Sequence, residues 1–178
     1  MHALIVGISY TGKSMLAKRI AAGLAAHNNI IVYDPLQSAN WPESALLFSS
    51  PEKFLAHVEQ AQNAYVFVDE AKTLWDHDEK RADALLYKRR HQGLLVFLIA
   101  QRATMIKPNA RNQCSRLYAF KQTSDDARAL AGDYDDSIRD MITRLPPCEF
   151  IATNGHTVER FKLDFSNGIP PTYTPAQA

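Results

Sequence analysis

Eight residues near the N-terminus, Gly7-Ile8-Ser9-Tyr10-Thr11-Gly12-Lys13-Ser14, constrain the fold of this chain more than any other part of it. The glycines permit a loop too tight for side chains, and a lysine followed by a hydroxyl residue closes it. The apolar run Ala3-Leu4-Ile5-Val6 precedes the loop and, being hydrophobic on both faces, reads as a buried parallel strand. From Lys13 to about His27 the pattern turns helical, with Leu16, Ile20 and Leu24 at i, i+4 spacing. Strand, glycine loop and helix in that order make a phosphate cradle. Backbone N–H groups wrap the phosphates, the helix N-terminus adds a favourable field, Lys13 reaches the β and γ phosphates, and Ser14 ligates magnesium. Gly7 to Ser14, with Met15 behind them, are therefore the expected binding residues for ATP and Mg2+. The plainer reading, a tight turn with a solvated lysine, demands neither Lys13 nor Ser14.

Further buried strands are expected at Ile30 to Tyr33, Ala64 to Val68, Leu94 to Ala100 and Arg116 to Phe120. Helices are expected at Pro51 to Gln62 with Ser50 as N-cap, Lys80 to Gln92 ended by Gly93, Ser124 to Leu130 capped by Ser124, and Ser137 to Leu145. Glu149 to Thr153 and Thr157 to Leu163 flank Asn154-Gly155, a hairpin signal. The stretch from Leu36 to Glu43 reads as loop, and the proline-bearing tail from Asn167 as an extended or disordered arm. Residues 1–165 then form one ATPase domain and 166–178 a C-terminal tail.

Asp69-Glu70 ends the strand Tyr65-Val66-Phe67-Val68, where one carboxylate reaches the metal through water and the next activates the attacking water. Asp69 is the expected metal residue and Glu70 the base. Two acids at a strand end are elsewhere a common solvated turn; here the phosphate loop favours the catalytic role. Gln101 follows the strand Leu94 to Ala100 directly and is expected at the same sheet edge, sensing the γ phosphate or orienting water. Lys88-Arg89-Arg90-His91 is either a helix end favoured by the helix dipole or a source of an arginine finger acting on a neighbouring subunit, with Arg90 first and Arg89 second. Asp34-Pro35 closes the second strand near the same edge, a place a simple turn explains equally well. The segment between Gln101 and Arg116 shows no apolar periodicity and is expected to be a loop presenting Arg102, Lys107 and Arg111 to DNA.

With 178 residues the chain has the size of one domain, and its 20 basic and 19 acidic residues leave bulk charge neutral on nucleic-acid binding. Any positive face must be local or built by oligomerisation. Cys114 and Cys148 show neither zinc spacing nor a disulfide framework. The opening residues enter the glycine loop at once, leaving no room for a signal peptide, and Leu94 to Ala100 is far short of the ~20 apolar residues of a membrane helix. The expectation is a soluble, cytoplasmic protein.

The motifs taken together resemble the HerA/FtsK superfamily of DNA-pumping ATPases, through Gly7 to Ser14, Tyr33-Asp34-Pro35, Val66 to Ala71, Arg90 to Gly93 and Leu95 to Arg102. The similarity runs from Leu4 to about Leu130. It is shared by genome-packaging ATPases of membrane-containing viruses and by Zot-type assembly ATPases of filamentous phages. Ala103 stands where the superfamily usually has proline, and no segment matches the HerA barrel, the FtsK winged helix or the Zot membrane helix. The resemblance implies an α/β fold, a three-layer RecA-like (ASCE) core with a mainly parallel sheet, here extended by a C-terminal β-hairpin. It also implies a ring homo-oligomer, a hexamer or pentamer, that moves double-stranded DNA, with a viral capsid or portal-vertex protein as a further partner. A Zot-like role in phage assembly and a small-molecule P-loop kinase are the alternatives; the kinase requires no Asp-Glu pair with a downstream glutamine.

Overall fold

The computed structural model describes residues 2–168 and 170–176, and the side chains of all of them except Arg89 and Arg90. Runs that are apolar at every position can be buried on both faces, and such runs form the centre of one nine-stranded sheet. In chain order these strands are β1 (His2–Val6), β2 (Asn29–Tyr33), β3 (Leu46–Phe48), β4 (Ala64–Val68), β5 (Leu95–Ala100), β6 (Cys114–Ala119), β7 (Glu149–Thr153), β8 (Val158–Asp164) and β9 (Thr172–Pro175). They lie in the order β3-β2-β4-β5-β1-β6-β7-β8-β9. The pairs from β3 to β6 are parallel and those from β6 to β9 antiparallel.

The helices divide unequally between the faces. Ala3 and Ile5 of β1 pack with Phe67, Phe97 and Ile99 under Leu16, Ala17 and Ala21 of α1 (Lys13–Leu24). Leu4 and Val6 face the opposite layer. That layer contains α2 (Pro51–Val58), α3 (Ala71–His77), α4 (Glu79–Tyr87), α5 (Pro108–Arg111), α6 (Ser124–Asp133) and α7 (Ile138–Arg144). Its buried side chains include Phe54, Leu74, Leu85, Ala110, Leu130 and Ile142. None of these helices is long and apolar enough to cross a membrane. The expected α/β sandwich, mainly parallel sheet and C-terminal hairpin are thus observed.

Several local expectations need correction. β3 escaped the sequence reading because three residues with Leu46 and Leu47 exposed, paired only with β2, carry no pattern. The helix expected over Lys80 to Gln92 ends at Tyr87, and Arg89–Gln92 forms a separate 3-10 turn. Gly93 follows in a left-handed conformation (φ 73°), and a Cβ there would lie 2.3 Å from Asn63 Oδ1. Thr123, rather than Ser124, caps α6, its Oγ1 accepting from Asp126 N at 3.5 Å. In the tail, Thr172–Pro175 pairs with β8 as the edge strand β9.

The segment expected as a DNA-facing loop is exposed at Arg102 and Lys107 but anchored in the core at four points, Arg111 among them. Ala103, Ile106 and Ala110 are in the core, and Arg111 Nε bonds Asp133 Oδ2 at 2.5 Å while its Nη1 donates to Ile106 O at 2.8 Å. A guanidinium 7% exposed in this way supports the chain's own backbone, so the DNA-facing expectation fails for Arg111. Arg102 binds Asp126 at 2.9 Å, and Lys107 pairs with Glu79.

Candidate active site

The loop between β1 and α1 is held by its neighbours on three sides. Gly7 N donates to Ala100 O (3.3 Å), Ile8 N to Lys121 O (3.1 Å) and Cys148 N to Thr11 O (3.1 Å). Thr11 Oγ1 returns to Ile8 O at 2.8 Å, closing the turn from within. A Cβ on Gly7 would stand 2.5 Å from Thr11 Oγ1 and 2.7 Å from Phe120 Cβ. Gly12 has φ 108°, and a Cβ there would stand 2.6 Å from Leu163 Cδ1. Both glycines of the motif are therefore demanded by space, and the second also by conformation. Tyr10 at the loop tip has φ 64° and a ring 99% exposed. Gly12 leads into α1 as its N-cap without a side-chain cap, so the first N–H groups of the helix are open to a ligand. Lys13 is buried at that end; Ser14 and Met15 are half-buried beside it.

The next two strands bring the acids to the same edge. Asp69 N donates to Tyr33 O at 2.8 Å, fixing Asp69 beside the end of β2. The Asp69 carboxylate is buried and accepts from Glu70 N at 3.0 Å. Burial pushes its pKa up to about 6, with the neighbouring Asp34 and Glu70 charges adding to the rise; the Glu70 N–H and the Lys13 ammonium oppose it. Among the described residues no cation reaches it within ion-pair distance. Glu70 is left-handed (φ 50°) at the N-cap of α3. Gln101 Nε2 donates to Glu70 Oε1 at 3.3 Å, so the expected sensor and the expected base meet. The structure thus gathers Gly7 to Ser14, Asp69, Glu70 and Gln101 at the C-terminal edge of the parallel strands. Arg89 and Arg90, the expected fingers, have side chains outside the described residues.

Asp34 takes the plainer of its two readings. Its carboxylate is saturated by Leu36 N (3.0 Å), Ser38 N (2.9 Å), Ser38 Oγ (2.5 Å) and Trp41 Nε1 (2.9 Å), so it organises the turn after β2.

Two residues at the site carried no sequence signal. Lys18 is buried in α1 with its Nζ 5.6 Å from the centre of the Trp41 ring. Burial lowers its pKa, opposed by the charges of Asp69 and Asp34. Gln122 donates from Nε2 to Gln101 O at 3.3 Å and accepts from Ala103 N at 3.4 Å, bracing the backbone on either side of Arg102. A lone glutamine after a strand and a lone lysine in a helix are ordinary surface residues in sequence; only their placement shows otherwise.

A magnesium ion suits the donors present. Asp69 and Ser14 are hard oxygen ligands, and among the described residues the buried Asp69 feels the charges of Lys13 and Lys18 without an ion pair to either. Among the described residues there is no group of three His, Cys, Asp or Glu able to hold a metal.

No protein-family model matches the chain, and no curated protein is significantly similar to it in sequence. Solved structures are. The genome-packaging NTPase B204 from Sulfolobus turreted icosahedral virus 2, in complex with AMPPCP, matches with TM-score 0.71 and 19% identity over 90% of this chain and 95% of B204. The pCW3 conjugation coupling protein TcpA, with ATPgS, matches with TM-score 0.67 and 16% identity, covering 95% of this chain and 62% of TcpA. The cytoplasmic domain of the type VII secretion ATPase EccC of Thermomonospora curvata matches with TM-score 0.70 and 15% identity, covering 90% of this chain and 25% of that one. At such identities the likeness is one of architecture, and the chain has the three-layer α/β fold of the P-loop ATPases that these proteins represent.

Proposed function

We propose that this chain is an ATP-hydrolysing motor that translocates double-stranded DNA, of the genome-packaging kind, working as a ring of identical subunits. The observation that carries the proposal is the meeting of Gln101 with Glu70 at 3.3 Å, beside Asp69 and the loop that ends in Lys13 and Ser14. A phosphate loop serves many reactions, but an acid pair with a glutamine from the next strand supplies a metal-holding carboxylate, a base and a water-orienting amide, the parts hydrolysis by an activated water can use. The fold shared with packaging, conjugation and secretion ATPases supports the motor class.

Each residue then has a task. The loop N–H groups and Lys13 hold the β and γ phosphates in place. Asp69 and Ser14 hold Mg2+, which when bound neutralises charge on those phosphates. Glu70 accepts a proton from water as its oxygen attacks the γ phosphorus, and the bond to the β-phosphate oxygen breaks to release ADP. Gln101, released from Glu70, orients that water. Arg90, or Arg89, reaches across to a neighbouring subunit's γ phosphate.

ATP turnover measured with and without duplex DNA, beside the oligomer mass in the same buffer, tests the proposal. DNA-stimulated turnover by a ring supports it. A strictly monomeric enzyme indifferent to DNA refutes the motor, and phosphoryl transfer to a small molecule in place of water would make it a kinase.

A further inference from the structure

The phosphate loop has two flanks. Asp69, Glu70 and Gln101 stand on the flank of β4 and β5, where the reading above puts the γ phosphate. A nucleotide lying along the loop in that sense must send its ribose and base toward the other flank, formed by β6, β7 and β8.

The C-terminal hairpin is built against the loop on that flank. Cys148 N donates to Thr11 O at 3.1 Å, and Leu163 N donates to Cys148 O at 2.8 Å. Leu163 packs on Gly12 and belongs to the core on the α1 side of the sheet. Side chains alternate along an extended chain. Phe165, two residues beyond Leu163, therefore leaves on the same side, just past the end of β8. Because β6 and β8 are both antiparallel to β7, the end of β8 lies at the same sheet edge as the phosphate loop.

Phe165 is 43% exposed, whereas Phe150 and Phe161 farther down the hairpin stack on each other at 5.4 Å. Pro146 and Pro147, both exposed, precede Cys148 and add apolar surface beside the loop without backbone donors. On this face the covering helix is α1, which begins at Lys13 and runs away from the edge.

We propose that Phe165, flanked by Pro146 and Pro147, is the stacking platform for the base of the bound nucleotide. The inference rests on Gly7 to Ser14 binding a triphosphate. It adds where the remainder of the molecule goes. A ring face serves any base, so the site contributes affinity through stacking.

Dissociation constants for ATP and for inorganic tripolyphosphate, each with Mg2+, are measured by calorimetry on the full chain. Phe165→Ala is expected to weaken ATP about ten-fold, the order of one lost aromatic–base stack, and to leave tripolyphosphate as in wild type. Phe165→Tyr, which keeps the ring, should bind ATP close to wild type. Unchanged ATP affinity in Phe165→Ala overturns the proposal. So does an equal loss for both ligands, which would make Phe165 a structural support of the loop. If wild type binds neither ligand, the triphosphate site itself fails and the base site falls with it.

Discussion

Arg111→Met removes a guanidinium that is 7% exposed and strands Asp133, itself 16% exposed, among groups arranged around a cation. The carbonyl of Ile106, which accepts from Arg111 at 2.8 Å, loses its donor as well. Breaking a buried ion pair from one side costs about 3–5 kcal/mol, because the remaining charge stays desolvated. The residual access of water to Asp133 places this site near the lower end, ~3 kcal/mol. For a chain of this size each kcal/mol moves the thermal midpoint by about 2–4 °C, so a fall of roughly 6–12 °C is expected. Urea titration should show a lower midpoint at constant slope. The double variant Arg111→Met, Asp133→Leu should recover much of the loss, since an apolar pair leaves no orphaned charge. A single variant within ~0.5 kcal/mol of wild type, the range of ordinary surface changes, would refute the buried role. Loss of DNA affinity at unchanged stability would return Arg111 to the DNA-facing surface.

Glu70→Gln should bind MgATP and lose hydrolysis, the carboxamide keeping shape but not basicity; wild-type turnover in a steady-state phosphate assay would place the base elsewhere. Lys13→Ala should lose turnover with the fold intact by circular dichroism, and mixing it with Arg90→Ala should recover part of the activity, provided subunit exchange is shown. With exchange demonstrated, a mixture as inactive as either parent would rule out a finger acting in trans. The Asp126 carboxyl is fully buried, which by itself would raise its pKa. Hydrogen bonds from Thr123, from Thr104 and from Arg102 outweigh that and hold it below the ordinary value. A depressed folded pKa stabilises the fold above the unfolded value, ~3.9, and that contribution fades as pH falls through the folded value. The stability gap between wild type and Asp126→Asn in urea should therefore narrow below about pH 4; a gap constant from pH 7 to 3 would exclude the linkage.

The sheet centre was legible because strands buried on both faces cannot hide: Ala64 to Val68 and Leu94 to Ala100 are apolar at nearly every position. The loop, Asp69-Glu70 and Gln101 were legible because each follows such a strand directly, and parallel strands deliver their C-terminal residues to one edge. Residues 101–113 misled because Ala103, Ile106 and Ala110, although at i, i+3, i+7 spacing, are too few, and the alanines too small, to stand out, and Pro108 divides the stretch into a 3-10 turn and a one-turn helix. These three pack in the core, and Asp126 and Arg111 bond the backbone at Thr104 and Ile106 between them. Such ties link partners far apart in sequence, as with Arg102 and Asp126, and leave no periodic trace. The same holds for Gln122, whose partners include Gln101 O and Ala103 N of another loop.

The contact of Leu163 with Gly12, and the bond from Cys148 N to Thr11 O, bear on when the chain becomes competent during its synthesis. The glycine motif precedes the hairpin that backs it by well over half of this sequence, so it leaves the ribosome long before that surface is made. A nascent chain with β1, the loop and α1 complete has the motif without the wall against which it is shaped. Contacts of such long sequence separation form late and slowly. The final shape of the loop therefore waits for the hairpin. A frameshift within the hairpin would remove that wall while leaving every one of the motif's eight residues in place.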